Sequence, residues 1–176
     1  MEKNIILIGM PGVGKSTIGV LLAKELGYDF VDTDLVIQHR TGERLQTTLE
    51  KIGVKGLLDE EERAILSLTF DRPSVIATGG SAVLRESSMA HLKENGVCLY
   101  LYLPCGAIEE RIHNRATRGI AAEAGETLAD IYAFRTPYYR RYADATLDCA
   151  GRLPGENASA AAELLARLLT KDVNNS

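Results

Sequence analysis

Short apolar runs alternate with stretches of helical period along the whole chain, and that alternation predicts the fold. The first run, 5–8, reads Ile-Ile-Leu-Ile, the uniformly apolar pattern of a strand buried on both faces. Further strands are expected at 28–31, 74–78, 97–103 and 145–148. A helix is expected at 15–26, with Ile18, Leu21, Leu22 and Leu26 on one face and Gly27 as its stop. Others are expected at 34–41, through 42–72, at 86–95, around Arg111 and over 126–142. The last helix carries Ala161, Leu164, Leu165, Leu168 and Leu169 on one face. Within 42–72 the core face reads as Leu58, Ile65, Leu66 and Thr69. The acidic run at 59–62 reads as solvated, with Asp59 paired to Arg63 one turn on. Pro137 implies a kink that aims Arg135 inward. The segment 114–125 is small and polar with no sustained period, and reads as a mobile lid bringing Arg115 and Arg118 over bound phosphates. The expectation is therefore an α/β fold: a five-stranded parallel sheet with helices on both faces, one domain over 1–171 and a frayed tail at 172–176.

Chemistry enters between the first strand and the first helix. Gly9-Met10-Pro11-Gly12-Val13-Gly14-Lys15-Ser16 fits the phosphate-binding pattern G-x-x-x-x-G-K-[ST]. The glycines let successive backbone N–H groups turn inward around a β-phosphate, Lys15 reaches the β- and γ-phosphate oxygens, and the Ser16 hydroxyl ligates magnesium. The helix that follows points its positive end at the same phosphates. Gly12, Val13, Gly14, Lys15, Ser16 and Thr17 are thus the candidate nucleotide-binding residues. At the carboxyl end of the second strand stand Asp32 and Asp34, where one carboxylate serves a metal ion and the other a substrate hydroxyl; the competing reading is that one of them caps the helix at 34–41. Gly79-Gly80-Ser81 ends the third strand and either admits a ligand close to the backbone or is a bare turn.

Composition narrows the partners. With 176 residues, 25% charged and a formal net charge of −4, the chain suits a soluble single domain and argues against nucleic-acid or anionic-membrane partners. No apolar run approaches a membrane span, and the N-terminal one is too short for a signal peptide. Cys98, Cys105 and Cys149 lack metal-ligand spacing and read as reduced, mostly buried thiols of a cytoplasmic protein, here expected to be a monomer. His39, His91 and His113 are scattered and show no ligand spacing. No Asn-Lys-x-Asp guanine-reading motif occurs, which sets a small GTPase aside.

Taken together, the phosphate loop, Asp32-Thr33-Asp34, Val75-Ile-Ala-Thr-Gly-Gly80, the spacing of Arg111 to Arg118, Arg135-Thr-Pro-Tyr-Tyr and Arg152-Leu-Pro154 resemble the shikimate kinase family over essentially the whole chain. That resemblance implies a three-layer P-loop kinase fold with a mobile lid, and ATP-dependent, magnesium-assisted phosphorylation of shikimate to 3-phosphoshikimate in aromatic amino acid biosynthesis. It implies that Lys15 and Ser16 serve the phosphates and magnesium with Asp32 in support, and that Asp34 contacts the reacting hydroxyl. It implies that Gly79 and Gly80 are backbone donors to the acceptor, that Arg118 neutralises the transferring phosphoryl group, and that Arg135 grips the acceptor's carboxylate. Arg111, Arg152 and Pro154 are implied on the adenine side.

Three positions depart from the family. Its Phe-Arg-x-x-Glu, whose arginine is a second clamp on the shikimate carboxylate, reads here as Leu58-Asp59-Glu60-Glu61-Glu62, with Asp59 in the arginine's place and Arg63 as a possible substitute cation. The third glycine of its Gly-Gly-Gly is Ser81, and its lid Arg-Pro is Arg118-Gly119. Three readings stay open: a shikimate kinase with a rebuilt clamp, a paralogous kinase of another small polyol or hydroxy acid, and a nucleotide-binding module without catalysis.

Overall fold

The computed structural model describes residues 3–112, 120–123 and 125–174. The five expected strands form: β1 Asn4–Ile8, β2 Asp29–Asp32, β3 Ser74–Ala77, β4 Gly96–Tyr102 and β5 Ala145–Asp148. They make one sheet in the order β2-β3-β1-β4-β5, and every pairing is parallel. β1 lies at the centre, with Ile6 between Ile76 and Cys98. Ile5 to Ile8 are each at most 1% exposed, which is why this strand is apolar on both faces.

Among the described residues seven helices surround the sheet: α1 Lys15–Leu26, α2 Thr33–Thr41, α3 Leu45–Leu66, α4 Glu86–Lys93, α5 Cys105–Arg111, α6 Leu128–Tyr142 and α7 Pro154–Asn174, with a short 3-10 turn at Ala82–Leu84. Gly27 closes α1 in the left-handed conformation, as its sequence position suggests. Thr127 and Asp130 form a reciprocal capping box at the start of α6. α6 carries Pro137 within it, and Arg135 faces inward because it shares a helical face with Leu128, Ile131 and Tyr139. Cys98 and Cys149 are buried free thiols, and Cys105 is half-buried. Among the described residues no helix is long and apolar enough to cross a membrane.

The stretch expected as one helix over 42–72 differs in two ways. α3 is interrupted at Gly53, whose φ of 71° and ψ of 179° break the helical path. Its buried face is Leu57, Glu61, Ala64 and Ile65, rotated from the expected Leu58, Ile65, Leu66 and Thr69, and Leu66 is 47% exposed. The cause is the spacing from Leu57: Glu61, Ala64 and Ile65 follow at i+4, i+7 and i+8, so one face of the helix takes a glutamate into the core. Asp59 lies two residues from Glu61, about 200° around the helix. It pairs with Arg85 instead of Arg63, and Arg63 pairs with Glu60.

Candidate active site

The carboxyl ends of β1, β2 and β3 open into a cavity of about 540 Å³, where ligands of open α/β sheets bind. One wall is the phosphate loop. Gly9, Gly12 and Gly14 all have positive φ, and a Cβ at Gly9 would stand 2.5 Å from the Leu101 carbonyl oxygen while one at Gly12 would stand 2.7 Å from the Ile112 side chain. Only glycine lets the loop pass so close to β4 and the end of α5. Gly14, Lys15, Ser16 and Thr17 line the cavity where α1 begins, and Val13 turns its side chain into the core. Lys15 is buried, and its Nζ donates to the Gly9 and Met10 carbonyls at 2.7 and 3.0 Å. Burial pulls its pKa down to about 8, opposed by the carboxylates of Asp34, Asp32 and Glu61, so it stays charged at neutral pH.

The facing wall comes from α2, the turn after β3, and α3. The competition between cap and ligand at Asp32 and Asp34 resolves by position. Asp32 is the cap of α2, its Oδ1 accepting from the Asp34 N–H at 3.0 Å, whereas the Asp34 side chain lines the cavity. Burial first, then the neighbouring Asp32, raise the Asp34 carboxyl to about 6, with Lys15 opposing. A carboxylate so poised is suited to accept a proton near neutral pH.

Gly79 and Gly80 line the same cavity, but they are not equivalent. The Gly79 N–H donates to Thr33 Oγ1 at 3.0 Å, so its expected role as a backbone donor to the acceptor is not met: Thr33 already holds that proton. What Gly79 contributes is space, since a Cβ there would fall 1.9 Å from Glu61 Oε1 and 3.1 Å from Asp34 Oδ1. At Gly80 a Cβ would meet Pro11 Cδ at 2.6 Å, so this wall is packed onto the phosphate loop. The Gly80 carbonyl accepts from Tyr139 Oη at 2.6 Å, which explains the second tyrosine of Arg135-Thr-Pro-Tyr-Tyr. Gly80→Ala is expected to push Pro11 aside, to lower stability by about 1–3 kcal/mol in chemical denaturation and to weaken ATP binding at the displaced loop. Unchanged ATP affinity in titration calorimetry would show that the loop absorbs the methyl group.

Glu61 and Arg135 complete the acceptor half. Arg135 is 3% exposed; its Nη2 donates to the Ala121 carbonyl, and its Nη1 is buried with no hydrogen-bond partner among the described residues. Glu61 is 3% exposed and accepts at Oε2 from Ser81 Oγ at 2.7 Å. Burial raises its pKa to about 7, which the Ser81 hydrogen bond restrains. Sequence reasoning missed Glu61 by assigning the whole acidic run to solvent. The signal was its spacing of four from Leu57 and of four from Ile65.

The clamp departure therefore needs a corrected register. On α3 the cavity is lined by Leu57 and Glu61, whereas Asp59 reaches Arg85. Placing the motif's glutamate on Glu61 makes Phe-Arg-x-x-Glu read Leu57-Leu58-Asp59-Glu60-Glu61, so Leu58, not Asp59, occupies the arginine's position. Arg63 offers no substitute cation, because it points to Glu60 on the exposed side.

Of the remaining expected residues, Arg111 lines the cavity and donates to the Val13 carbonyl at 3.2 Å. Arg152 donates to the Asp148 carbonyl at 2.7 Å and Pro154 opens α7, both away from the cavity lining. Arg118, with Arg115 and most of the proposed lid at 114–125, lies outside the described residues. For a metal ion the Ser16 hydroxyl in the cavity lining and, beside that lining at the end of β2, the Asp32 carboxylate oxygen not used in the cap are hard oxygen donors. Among the described residues no cluster of three or more His, Cys, Asp or Glu side chains could hold a metal by itself. These donors fit a magnesium ion that keeps water and nucleotide oxygens as its other ligands.

A family model described as shikimate kinase matches residues 11–168. The chain is 39% identical over 158 residues to a shikimate kinase of Thermodesulfovibrio yellowstonii, covering 89% of this chain and 91% of that one. A solved shikimate kinase from Acinetobacter baumannii, in complex with shikimate, is 30% identical with a TM-score of 0.87, covering 95% of this chain and 94% of that one. The human protein named threonine synthase-like 1 is 35% identical over 160 residues, 89% of this chain but 21% of its own length.

Proposed function

The chain belongs to the shikimate kinase family, and from that premise we propose that it transfers the γ-phosphoryl group of ATP to a ring hydroxyl of shikimate, giving 3-phosphoshikimate, with Lys15, Asp34 and Arg118 carrying the chemistry. One observation carries the assignment of the site. A phosphate loop with its lysine, a carboxylate of raised pKa and a buried guanidinium with one nitrogen free of hydrogen bonds among the described residues share one cavity. A phosphate donor and an anionic alcohol acceptor are the pair of ligands that such a cavity serves.

The donor half holds the triphosphate on the loop N–H groups from Gly12 to Thr17 and on Lys15, with Arg111, Arg152 and Pro154 toward the adenine. The acceptor half seats the carboxylate on Arg135 and the hydroxyls against Asp34 and the Gly80 N–H. Asp34 orients the attacking hydroxyl and takes its proton, while Lys15 and Arg118 stabilise the charge on the phosphoryl group in transit. Magnesium, held by Ser16 and Asp32, supplies charge neutralisation at the phosphate oxygens when bound. The net charge of −4 and three free thiols support a cytoplasmic protein acting on a small molecule, with neither nucleic acid nor membrane as partner, and we take it to be a monomer.

Leu58 favours one second reading, a kinase of another small polyol or hydroxy acid, and the threonine synthase-like relatives show that a similar sequence occurs in a protein of another name. The test is magnesium- and ATP-dependent ADP release with shikimate, comparing wild type, Leu58→Arg and Asp59→Arg. Turnover by the wild type at sub-millimolar shikimate is expected. Leu58→Arg should lower the shikimate KM and Asp59→Arg should not, because position 58 lies one helical turn before Glu61 whereas the side chain at 59 is directed to Arg85. A silent wild type with activity gained in Leu58→Arg would assign the enzyme to another acceptor. Silence in all three would remove the shikimate assignment.

A further inference from the structure

One of the departures from the family makes a contact across the cavity wall. Ser81 replaces a glycine, and its φ of −100° is open to any residue, so its side chain sits there without strain. A serine just before a helical turn ordinarily turns its oxygen back to cap it. Ser81 precedes the 3-10 turn Ala82–Leu84, yet its side chain makes no cap bond. Its hydroxyl instead donates across the cavity wall to Glu61 Oε2, twenty residues away and buried. Leu58, one turn before Glu61, offers that carboxyl no charge, and two arginines of the neighbouring surface are engaged elsewhere: Arg63 on Glu60, Arg85 on Asp59 and Glu62. The other oxygen, Oε1, stands over Gly79, on the spot that a Cβ there would claim and on the side that Asp34 Oδ1 also faces.

We propose that Ser81 is a positioning residue for the acceptor: its hydroxyl fixes the Glu61 carboxyl over Gly79, so that the acceptor meets two carboxyl groups, Glu61 and Asp34, beside the Arg135 guanidinium. The inference rests on the kinase reading for the identity of the acceptor, and on geometry alone for the placement of Glu61. Without the hydroxyl, Glu61 keeps its burial but loses the donor that favours its ionised form, so the carboxyl protonates or turns away. The groups that face it are Lys15 on α1, Asp34 on α2, and Arg135 and Tyr139 on α6. The Ser81 hydroxyl bonds Glu61 and none of these four.

The experiment compares wild type, Ser81→Ala, Ser81→Thr and Glu61→Gln by two readouts. The first is titration of the Glu61 carboxyl carbon by 13C NMR, assigned through its loss in Glu61→Gln. Ser81→Ala should move the midpoint upward by about one pH unit or more, and Ser81→Thr should return it toward wild type. The second readout is steady-state kinetics. Ser81→Ala should raise the shikimate KM about tenfold, with kcat and the ATP KM within about twofold, and should add nothing further in the Glu61→Gln background. An unmoved midpoint would overturn the proposal, as would equal losses for both substrates or additive effects of the two substitutions. If the wild type does not phosphorylate shikimate, the kinase assignment falls while the titration still decides the role of Ser81.

Discussion

Lys15→Met is expected to lower kcat by at least about 10²–10³-fold while the protein stays folded. Lys15 is 7% exposed and is held by the Gly9 and Met10 carbonyls, so the loop sets where its ammonium sits before any nucleotide arrives. Its pKa of about 8 leaves it charged at neutral pH, with the energy of desolvation partly offset by the carboxylates of Asp34, Asp32 and Glu61. A triphosphate offers that ammonium charged oxygens in place of neutral carbonyls, and hydrogen bonds between ions are about twice as strong as neutral ones. The interaction strengthens further as charge moves to the bridging oxygen in the transition state, which is why the loss falls on kcat. Methionine fills a similar volume, removes a buried charge and leaves two carbonyls without a donor. These changes in stability oppose each other, so the melting temperature should move by only a few degrees. ADP release at saturating substrates with a parallel thermal melt reads both. Turnover near the wild-type level in a folded Lys15→Met protein would remove the phosphate-loop assignment.

Arg135→Ala is the second large effect, and it should fall on the acceptor. One guanidinium nitrogen serves the Ala121 carbonyl, and the other is buried without a partner among the described residues. A buried cation left in that condition costs stability in the empty protein and awaits an anion. Removing one partner of a desolvated, charge-assisted pair costs about 2–5 kcal/mol, roughly 30- to 4,000-fold in affinity. The shikimate KM should rise by that order while the ATP KM changes by less than about threefold. Position 58 offers no second arginine to share the load. Ser81 and Glu61 cannot, since neither brings positive charge. Arg135→Lys should recover only part of the affinity, because an ammonium cannot reproduce the planar fork. A melting temperature equal to or above that of the wild type would fit a residue kept for binding. Equal losses for both substrates together with a lower melting temperature would show that Arg135 is structural.

How much was legible before the fold was known follows from distance along the chain. Motifs whose parts adjoin in sequence could be read directly. The apolar run 5–8 implied a strand covered on both faces, and the glycine spacing up to Lys15 implied a loop that wraps an anion at a helix end. Periodicity placed the helices and hence the parallel sheet. It also contained the correct inner face of α3, at Leu57, Glu61, Ala64 and Ile65, but charge outweighed spacing in the reading of Glu61. A run of acidic residues is usually solvated, and here one of its members lies on the helix face turned inward.

The sequence by itself determined the phosphate loop, the alternating α/β architecture and the residue types at the strand ends, because each rests on local spacing and on backbone conformations that only certain residues adopt. The tertiary structure alone decided which groups are free to act. Asp32 caps α2 and Asp34 lines the cavity; Thr33, forty-six residues before Gly79, takes the N–H that the loop would otherwise offer. Asp59 turns to Arg85, and Glu61 meets Ser81 across twenty residues. Such pairings depend on how α2, α3 and the β3 turn converge on one cavity. No local pattern encodes that convergence, since burial and hydrogen bonding between distant segments are settled only when the sheet and its helices pack.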